Sequence, residues 1–511
     1  MIAFDPNQLR LLSPELVLGL GAVLLLALSV RSDGGGPWAQ GLAILSCVVT
    51  LAAVLAYPMT FGLEALRAPE LTVGFGGMFL LDSFSIFFKV LFLVAAILTL
   101  LVSGRYLERI GIGVAGGIGG GEYYALILFA LIGMLLVASS GEFLTLFLSL
   151  ETMALAFYPL VGYARDDRRG GEAALKYFLL GSLSSGILLY GISLIYAMTG
   201  TTSLGLLGMA RTSVALEPDR APFFLLGVIL ITAGLGFKIA AAPFHMWAPD
   251  TYEGAPTPIT LFLSTASKTA GFVALLRVFV MAFARLGDRW AILLILLAVA
   301  SMTIGNLAAL LQDNVKRMLA YSSIAHAGYA LLGLIAVGMG HDLGTREWGL
   351  QAVILYLAIY TFVNAGAFAL VAALRREGMA GERVADFAGL ARRSPWAAFA
   401  MLVFMLSLAG IPATAGFIGK WYLFGAVVRA EAAWIAVVAV LNSVVSLYFY
   451  VRIVVMMYMR PAEDDAPIPA SIGQRVAIAA CALFTVGIGV YPQPMVDLAR
   501  RSILVLSTWA S

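Results

Sequence analysis

The sequence predicts an all-α polytopic membrane protein of about fourteen transmembrane helices, built as two inverted five-helix repeats that each contain a broken helix. Three observations predict it. Of the 511 residues, 61% are hydrophobic and 12% charged, about half the charged share of a soluble globule. Apolar runs of the roughly 20 to 25 residues that a tilted helix needs to cross a bilayer follow one another along the chain. Two of those runs are interrupted by proline.

The runs, bounded by charge, Gly or Pro, fall in order. Those near 12–30, 38–57 and 78–103 form an N-terminal unit, residues 1–121. Those near 122–140, 143–163, 172–199, 222–247 and 255–283 form a first repeat over 122–283. Those near 290–312, 318–340, 348–374, 395–428 and 431–459 form a second repeat over 290–459, and the run near 476–495 with the tail completes 460–511. Run 222–247 carries Pro243, which in a helix denies the carbonyl of Ile239 its donor. Run 395–428 holds Pro412 between Gly410 and Gly416 and reads as two half-helices. Backbone freed in this way is tolerated at membrane depth where protein or water meets it.

The repeat is visible in two matching stretches. GMLLVASSGEFLTLFLSLETMALAFYP from Gly133 and GNLAALLQDNVKRMLAYSSIAHAGYAL from Gly305 share a plan of helix, short polar turn and helix. Units with an odd number of spans insert in opposite senses, and broken helices in such units are where transporters hold their ions.

The 32 basic and 29 acidic residues form no long run of one sign, so nucleic acid is not an expected partner. Loops on one side of the predicted membrane hold fifteen basic residues and those on the other ten, which places both termini outside the cytoplasm. Cys47 and Cys481 lie far apart in apolar runs and suggest neither a disulfide framework nor a metal site. The first dozen residues contain Asp5 and no basic cluster, so the first helix is expected to be retained rather than cleaved.

Seven basic residues fall inside the predicted spans: Lys89, Lys176, Lys238, Lys268, Arg277, Lys420 and Arg452. A lysine at the bilayer centre costs about 2.5 to 3.5 kcal/mol, so five unpaired ones would cost roughly 12 to 18 kcal/mol, as much as a typical fold has to spare. They must be paired, hydrated or functional. Lysine can lose its proton on burial where arginine practically cannot, so a row of lysines can pass protons. Glu151 is the carboxylate near the middle of a span, and beside a lysine it can modulate that lysine's hold on a proton. Lys238 lies just before Pro243, and Lys420 stands in the corresponding broken region of the second unit. Lys268, in LFLSTASKTAGF, has Ser264 one turn away and Ser267 and Thr269 adjacent, a polar patch between the units. His245 and His326 are further relay positions, because imidazole titrates near neutrality. Lys176 sits near its helix start, Lys89 has no evident partner, and Asp250 and Glu253 serve as loop solvation or a helix cap. Gly111, Gly113 and Gly116 spell GxGxxG but lack the strand before and the βαβ context after, and read as a loop. No P-loop, nucleophile triad or iron–sulfur cysteine set occurs in the sequence.

The stretches LSLETMALAFYPLVGY, EAALKYFLLGSLSSGILLYG, GFKIAAAPFHMWAPDTYEGAPTPITLFLSTASKTAGF, DNVKRMLAYSSIAHAGY and LSLAGIPATAGFIGKWYLF resemble the antiporter-like membrane subunits of complex I, over roughly residues 75–460. Among these, KYFLLGSLSSG and PDTYEGAP resemble the subunit N family of bacterial NADH-quinone oxidoreductase rather than its longer paralogues L and M. The resemblance implies a proton-pumping subunit in the bacterial inner membrane, part of a translocase that couples NADH oxidation by quinone to proton transfer. It implies that Glu151 and Lys238 are the family's carboxylate–lysine pair, Lys268 its central lysine, Lys420 the lysine of the second broken helix, and Lys176 a further lysine of subunit N. Lys89 matches no position of the pattern. It implies no cofactor in this chain: FMN, the iron–sulfur clusters and the quinone cavity are expected in partner subunits, with M, K and J as membrane neighbours. The same scaffold serves multisubunit cation/proton antiporters and membrane-bound hydrogenases, so a non-redox exchanger is the alternative reading, and a spacer that moves no proton is a third.

Overall fold

Inside a bilayer the backbone finds no partner but itself, so a long apolar run with a polar residue at its start becomes a helix. The computed structural model describes residues 6–31, 37–61, 73–112, 120–209, 220–376, 379–462, 468 and 470–503. We label its principal helices α1 (Ser13–Arg31), α2 (Pro37–Phe61), α3 (Ser83–Arg109), α4 (Gly120–Ser139), α5 (Phe143–Val161), α6 (Arg168–Thr199), α7 (Ala221–Lys238), α8 (Trp247–Gly254) and α9 (Thr257–Ala282). There follow α10 (Gly287–Leu310), α11 (Val315–Met339), α12 (Leu343–Leu374), α13 (Pro395–Ala409), α14 (Ala415–Arg429), α15 (Ala433–Met459), α16 (Ile472–Val490) and α17 (Gln493–Arg501). A two-residue hairpin of Val73–Gly74 with Phe79–Leu80 is the sheet found among the described residues.

Polar caps set the starts. Asp82 accepts from the Ser85 amide at 2.7 Å to open α3, and Ser85 reciprocates, a capping box. Asp167 opens α6, Asn314 opens α11 and Asp342 opens α12 in the same way. Thr345 donates both its hydroxyl and its amide to the Asp342 carboxylate, and these bonds hold that carboxyl below the usual range.

Among the described residues, thirteen helices are long and apolar enough to cross a membrane. The run 395–428, read as two half-helices, forms two helices of 15 residues, α13 and α14, separated at Gly410 and Pro412. Here Gly410 has φ +86° and Ala413 φ +67°, left-handed backbone that ends one helix before the next begins. The first break differs from its expectation. Helix α7 stops at Lys238, Ala240 turns with φ +56°, and Pro243 lies in the turn rather than inside a helix. The polar backbone of that turn is satisfied locally, by Ala241 N to Gly236 O at 2.8 Å and Ala242 N to Ser301 Oγ at 2.8 Å.

Three of the most enclosed elements are α9, α11 and α12, whose spanning windows are 94% to 100% buried within the chain itself. They are the central wall against which the outer helices pack. Helix α9 is not uniform: Leu263–Ser267 and Arg277–Ala282 are π-helical turns, so Lys268 follows one and Arg277 opens the other. Such turns displace side chains from the regular face and recur at functional sites. Gly113 and Gly116 of the GxGxxG loop lie outside the described residues. Cys47 and Cys481 are both buried in the apolar interior.

Arg277, left without a role in the sequence reading, is fully buried and held by Asp82 through two parallel bonds, Nη1 to Oδ2 at 2.7 Å and Nη2 to Oδ1 at 2.9 Å. It also donates to the carbonyl of Ala138 at the end of α4, at 2.7 Å. This bidentate pair ties α9 to the start of α3 and the end of α4. Asp82→Ala should leave the guanidinium uncompensated in the interior, at a cost of about 3 to 5 kcal/mol; the amount of chain recovered in membranes and its thermal denaturation in detergent should both fall.

Candidate functional site

The middle of α5 carries Glu151, the middle of α6 carries Ser185, and the end of α7 carries Lys238. These three meet. Lys238 Nζ lies 3.1 Å from Glu151 Oε1 and 3.3 Å from Ser185 Oγ, and Ser185 donates to the same carboxylate oxygen at 2.5 Å. The lysine is buried and Glu151 keeps 20% side-chain exposure, so one partner is enclosed and the other reaches the edge. Because α7 ends at Lys238, its last carbonyls are freed there; that of Phe237 accepts from Trp247 Nε1 at 3.1 Å.

Helix α9 crosses close behind. A Cβ at Gly271 would sit 2.9 Å from Ile239 Cγ2 and 3.3 Å from the Lys238 carbonyl, so only glycine permits this approach. One turn earlier on α9, Lys268 Nζ donates to the Ser323 carbonyl at 2.6 Å and also contacts the Ser323 hydroxyl. The polar patch expected around Lys268 is therefore different in composition. Ser264 turns back to the carbonyl of Leu261 at 3.0 Å in its own helix, and the partner comes from α11.

Next to Ser323 on α11, Ser322 and Tyr450 share a hydrogen bond of 2.5 Å. Tyr450 Oη also lies 3.0 Å from His326 Nε2, and Tyr356 Oη lies 2.5 Å from His326 Nδ1, so both ring nitrogens are engaged. His326 and Tyr356 line one cavity with Ser407, Gly416 and Lys420. Lys420 Nζ, on α14, donates to the carbonyls of Leu408 and Ala409 at 3.0 and 2.9 Å and to Ser443 at 2.7 Å, and stands 5.0 Å from the centre of the Tyr329 ring. Those carbonyls are the ones that the break between α13 and α14 leaves free. Among the described residues neither Lys268 nor Lys420 has a carboxylate at ion-pair distance, whereas Lys238 does.

The remaining expected positions fall elsewhere. His245 lies in the turn before α8, and its buried Nδ1 has no partner among the described residues. Lys176 is 44% exposed and bonds Glu172 at 2.7 Å and Asp250 at 2.8 Å. Asp250 and Glu253, on α8, are not loop solvation. Asp250 also accepts from Arg317 at 2.6 Å, and Arg317 reaches Glu253 at 3.0 Å. Lys316, read as a loop residue, is buried in the first turn of α11 and donates to the carbonyls of Glu253 and Ala255 and to Glu382. These charges pin α8 between α6 and α11. Lys89 does have a partner, Glu15 at 2.7 Å, which lies on another helix 74 positions away and which no local pattern could reveal.

No group of three or more His, Cys, Asp or Glu side chains that could hold a metal occurs among the described residues. What the three lysines, the histidine and the interleaved hydroxyls can do is exchange and pass protons.

Residues 140–446 match the family described as NADH:quinone oxidoreductase/Mrp antiporter, transmembrane. A protein of Solibacter usitatus named NADH-quinone oxidoreductase subunit N 2 is 47% identical over 86% of each chain, and one of the same name from Rhizobium meliloti is 43% identical over 96% of each. The chain belongs to the NADH-quinone oxidoreductase subunit N family. A solved chain of respiratory complex I from Thermus thermophilus, determined with bound aureothin, is 34% identical, has a TM-score of 0.77, and is covered over 99% of its length by 95% of this one. For this subunit N family member the matched region contains every residue from Glu151 to Ser443 described above, and leaves Glu15, Asp82 and Lys89 outside.

Outside the spans, burial raises the Asp250 carboxyl, but its bonds to Lys176 and Arg317 outweigh this and hold it below the ordinary value. A depressed folded value means a contribution to stability that is complete above about pH 4 and is lost as pH falls through that lowered value. Thermal denaturation of the solubilised protein should show an acid-side loss of stability, and Asp250→Asn should remove that component.

Proposed function

We propose that the chain is the proton-translocating subunit N of a bacterial NADH-quinone oxidoreductase, and that Glu151, Lys238, Lys268 and Lys420 form its relay. The observation that carries the relay is the environment of Lys268 and Lys420. Each ammonium is buried and held by carbonyls and hydroxyls alone. An ammonium held by neutral acceptors has no fixed counter-charge to trap its proton, and lysine, unlike arginine, can release it.

The steps follow from position. A signal from quinone reduction in partner subunits alters the Glu151 and Lys238 pair, whose separation changes how firmly Lys238 holds its proton. The proton moves through water toward Lys268, where Gly271 brings α9 against Lys238. Ser323, Ser322, Tyr450 and His326 then lead toward Lys420, with Tyr356 and His326 walling the same cavity. His245 and Lys176 are secondary positions, on the turn and at the membrane face. In this reading FMN, the iron–sulfur clusters and quinone belong to partner subunits, M, K and J are its membrane neighbours, and the chain crosses the inner membrane fourteen times with both termini in the periplasm.

Correspondences between the two halves of the chain support the reading. Helices α6 and α12 are both 32 residues long. Gly133 of α4 packs on the backbone of Ser149 and Met153, and Gly305 of α10 packs on that of Tyr321 and Ala325. The same step in sequence relates each of these pairs, and it carries Glu151 onto Ser323, so the carboxylate beside Lys238 corresponds to the serine beside Lys268.

Lys238→Ala and Lys268→Ala should each lower proton translocation by about tenfold or more while the complex still assembles, and Glu151→Ala should also impair it. The readout is protons moved per NADH oxidised by the complex in liposomes; normal translocation in either lysine variant would overturn the relay. A tagged chain that brings down other membrane subunits without flavin or NADH:quinone activity would favour the antiporter reading that the family's description also covers.

A further inference from the structure

The relay leaves one buried ionisable cluster unused, in the N-terminal helices. On α3, Lys89 is fully enclosed; its Nζ lies 2.7 Å from Glu15 Oε1 on α1, 4.6 Å from the Phe79 ring centre and 5.8 Å from that of Tyr57. One helical segment away stands the Asp82–Arg277 pair. The two pairs differ in a decisive way. Asp82 has both oxygens satisfied, one by Arg277 and the other by Arg277 and the Ser85 amide, and its cation cannot release a proton. It is a fixed tie.

Glu15 is different. It is 6% exposed, and its Oε2 is buried with no hydrogen-bond partner among the described residues. The hydroxyls nearest in the chain are committed to carbonyls: Tyr57 Oη donates to Leu11 O at 2.6 Å, and Ser13 Oγ to Arg10 O at 2.8 Å. An ionised carboxylate with one bare oxygen in an apolar interior is costly; a proton on that oxygen relieves this cost and moves part of it to Lys89, whose partner becomes neutral, so the two states are brought closer in energy. The position suits exchange. Glu15 is in the first turn of α1 and seven residues into the apolar span Gln8–Val30, in the half of that span nearer the face where the N-terminus emerges. Lys89 lies about 9 Å of rise into α3, which starts from that same face.

We propose that Glu15 and Lys89 form a second proton-exchanging site of this chain, opening on the N-terminal face. Glu15 binds a proton at Oε2, forming an O–H bond, while the Lys89 ammonium keeps its hydrogen bond to Oε1, then held by a neutral acceptor as Lys268 and Lys420 are; breaking that O–H bond returns the proton to water on the same face. Under the relay reading, on which this inference rests, the face is the one to which protons are delivered. The site is then a proton-release group, Glu15 the group that carries the proton and Lys89 the residue that positions it. The groups facing it are Tyr57 from α2, Asp82 at the start of α3 and Arg277 from α9.

The test uses the intact complex in liposomes and compares Glu15→Gln, the double variant Glu15→Met with Lys89→Met, and Lys268→Ala. The double variant removes both charges together and keeps the interior apolar, and Glu15→Gln keeps the shape and the neutral charge of the protonated acid. It should move roughly twofold fewer protons per NADH oxidised, one step being lost from a chain whose other members remain. Infrared difference spectra taken on turnover should show a carboxylic-acid C=O band in the native complex that Glu15→Gln abolishes. Native translocation by the double variant overturns the proposal and leaves Glu15–Lys89 as a structural tie. If Lys268→Ala also translocates normally, the relay reading has failed as well; if Lys268→Ala is defective while the double variant is native, only this inference has.

Discussion

A cation inside a bilayer has to find its partner within the protein, and the architecture of this chain is arranged around that constraint. Every lysine in the sequence, and Arg277 with them, is met by an oxygen from a different helix or from a freed helix end. The cost of leaving any of them unmet is several kcal/mol in hydrocarbon. The crossings that bring the helices together are therefore as much a consequence of the charges as of apolar packing. The second break serves the same end: a helix that stops at membrane depth exposes carbonyls, and those after α13 hold Lys420.

The partners sort the cations by what they can do. Arg277, clasped by Asp82 through two bonds, is immobile in charge and position and joins the N-terminal helices to α9. Lys316, Arg317 and Lys176 are spread over Asp250, Glu253 and Glu382 at one membrane face and hold α8 between the two halves. Lys238 has one shared carboxylate oxygen, and Lys268 and Lys420 have neutral acceptors only. The grading runs from a doubly bonded arginine to lysines without a counter-ion, and under the proposed relay it runs from scaffold to mobile proton. It also sets Glu15 apart from Asp82, since one of its oxygens is bare while both of Asp82's are bonded.

Much of this was legible in one dimension. Apolar length located nearly every span, because a bilayer's thickness and helical rise leave little choice. The intramembrane lysines announced themselves by cost, and Glu151 by its lone position in a span. What could not be read were partners distant in sequence. Nothing in the sequence singled out Glu15, and Lys89 looked unpaired, because nothing local joins α1 to α3. Ser323 carried no signal beyond a polar position in YSSIAHAGY. Pro243 pointed to a break but misplaced its onset, since the helix ends at Lys238 through the turn at Ala240, several residues before the ring would have obliged it to.

The sequence by itself determined that this chain lives in a membrane, roughly where it crosses, which of its charges are too costly to be incidental, and, through its motifs, the family to which it belongs. Those follow from local quantities: hydropathy, length, residue chemistry and spacing. The tertiary structure alone decided which oxygen meets which nitrogen. Whether a buried lysine faces a carboxylate, as Lys238 does, or only carbonyls and hydroxyls, as Lys268 and Lys420 do, depends on how helices distant in the chain cross, and hydrogen bonding at 3 Å is settled only by that crossing.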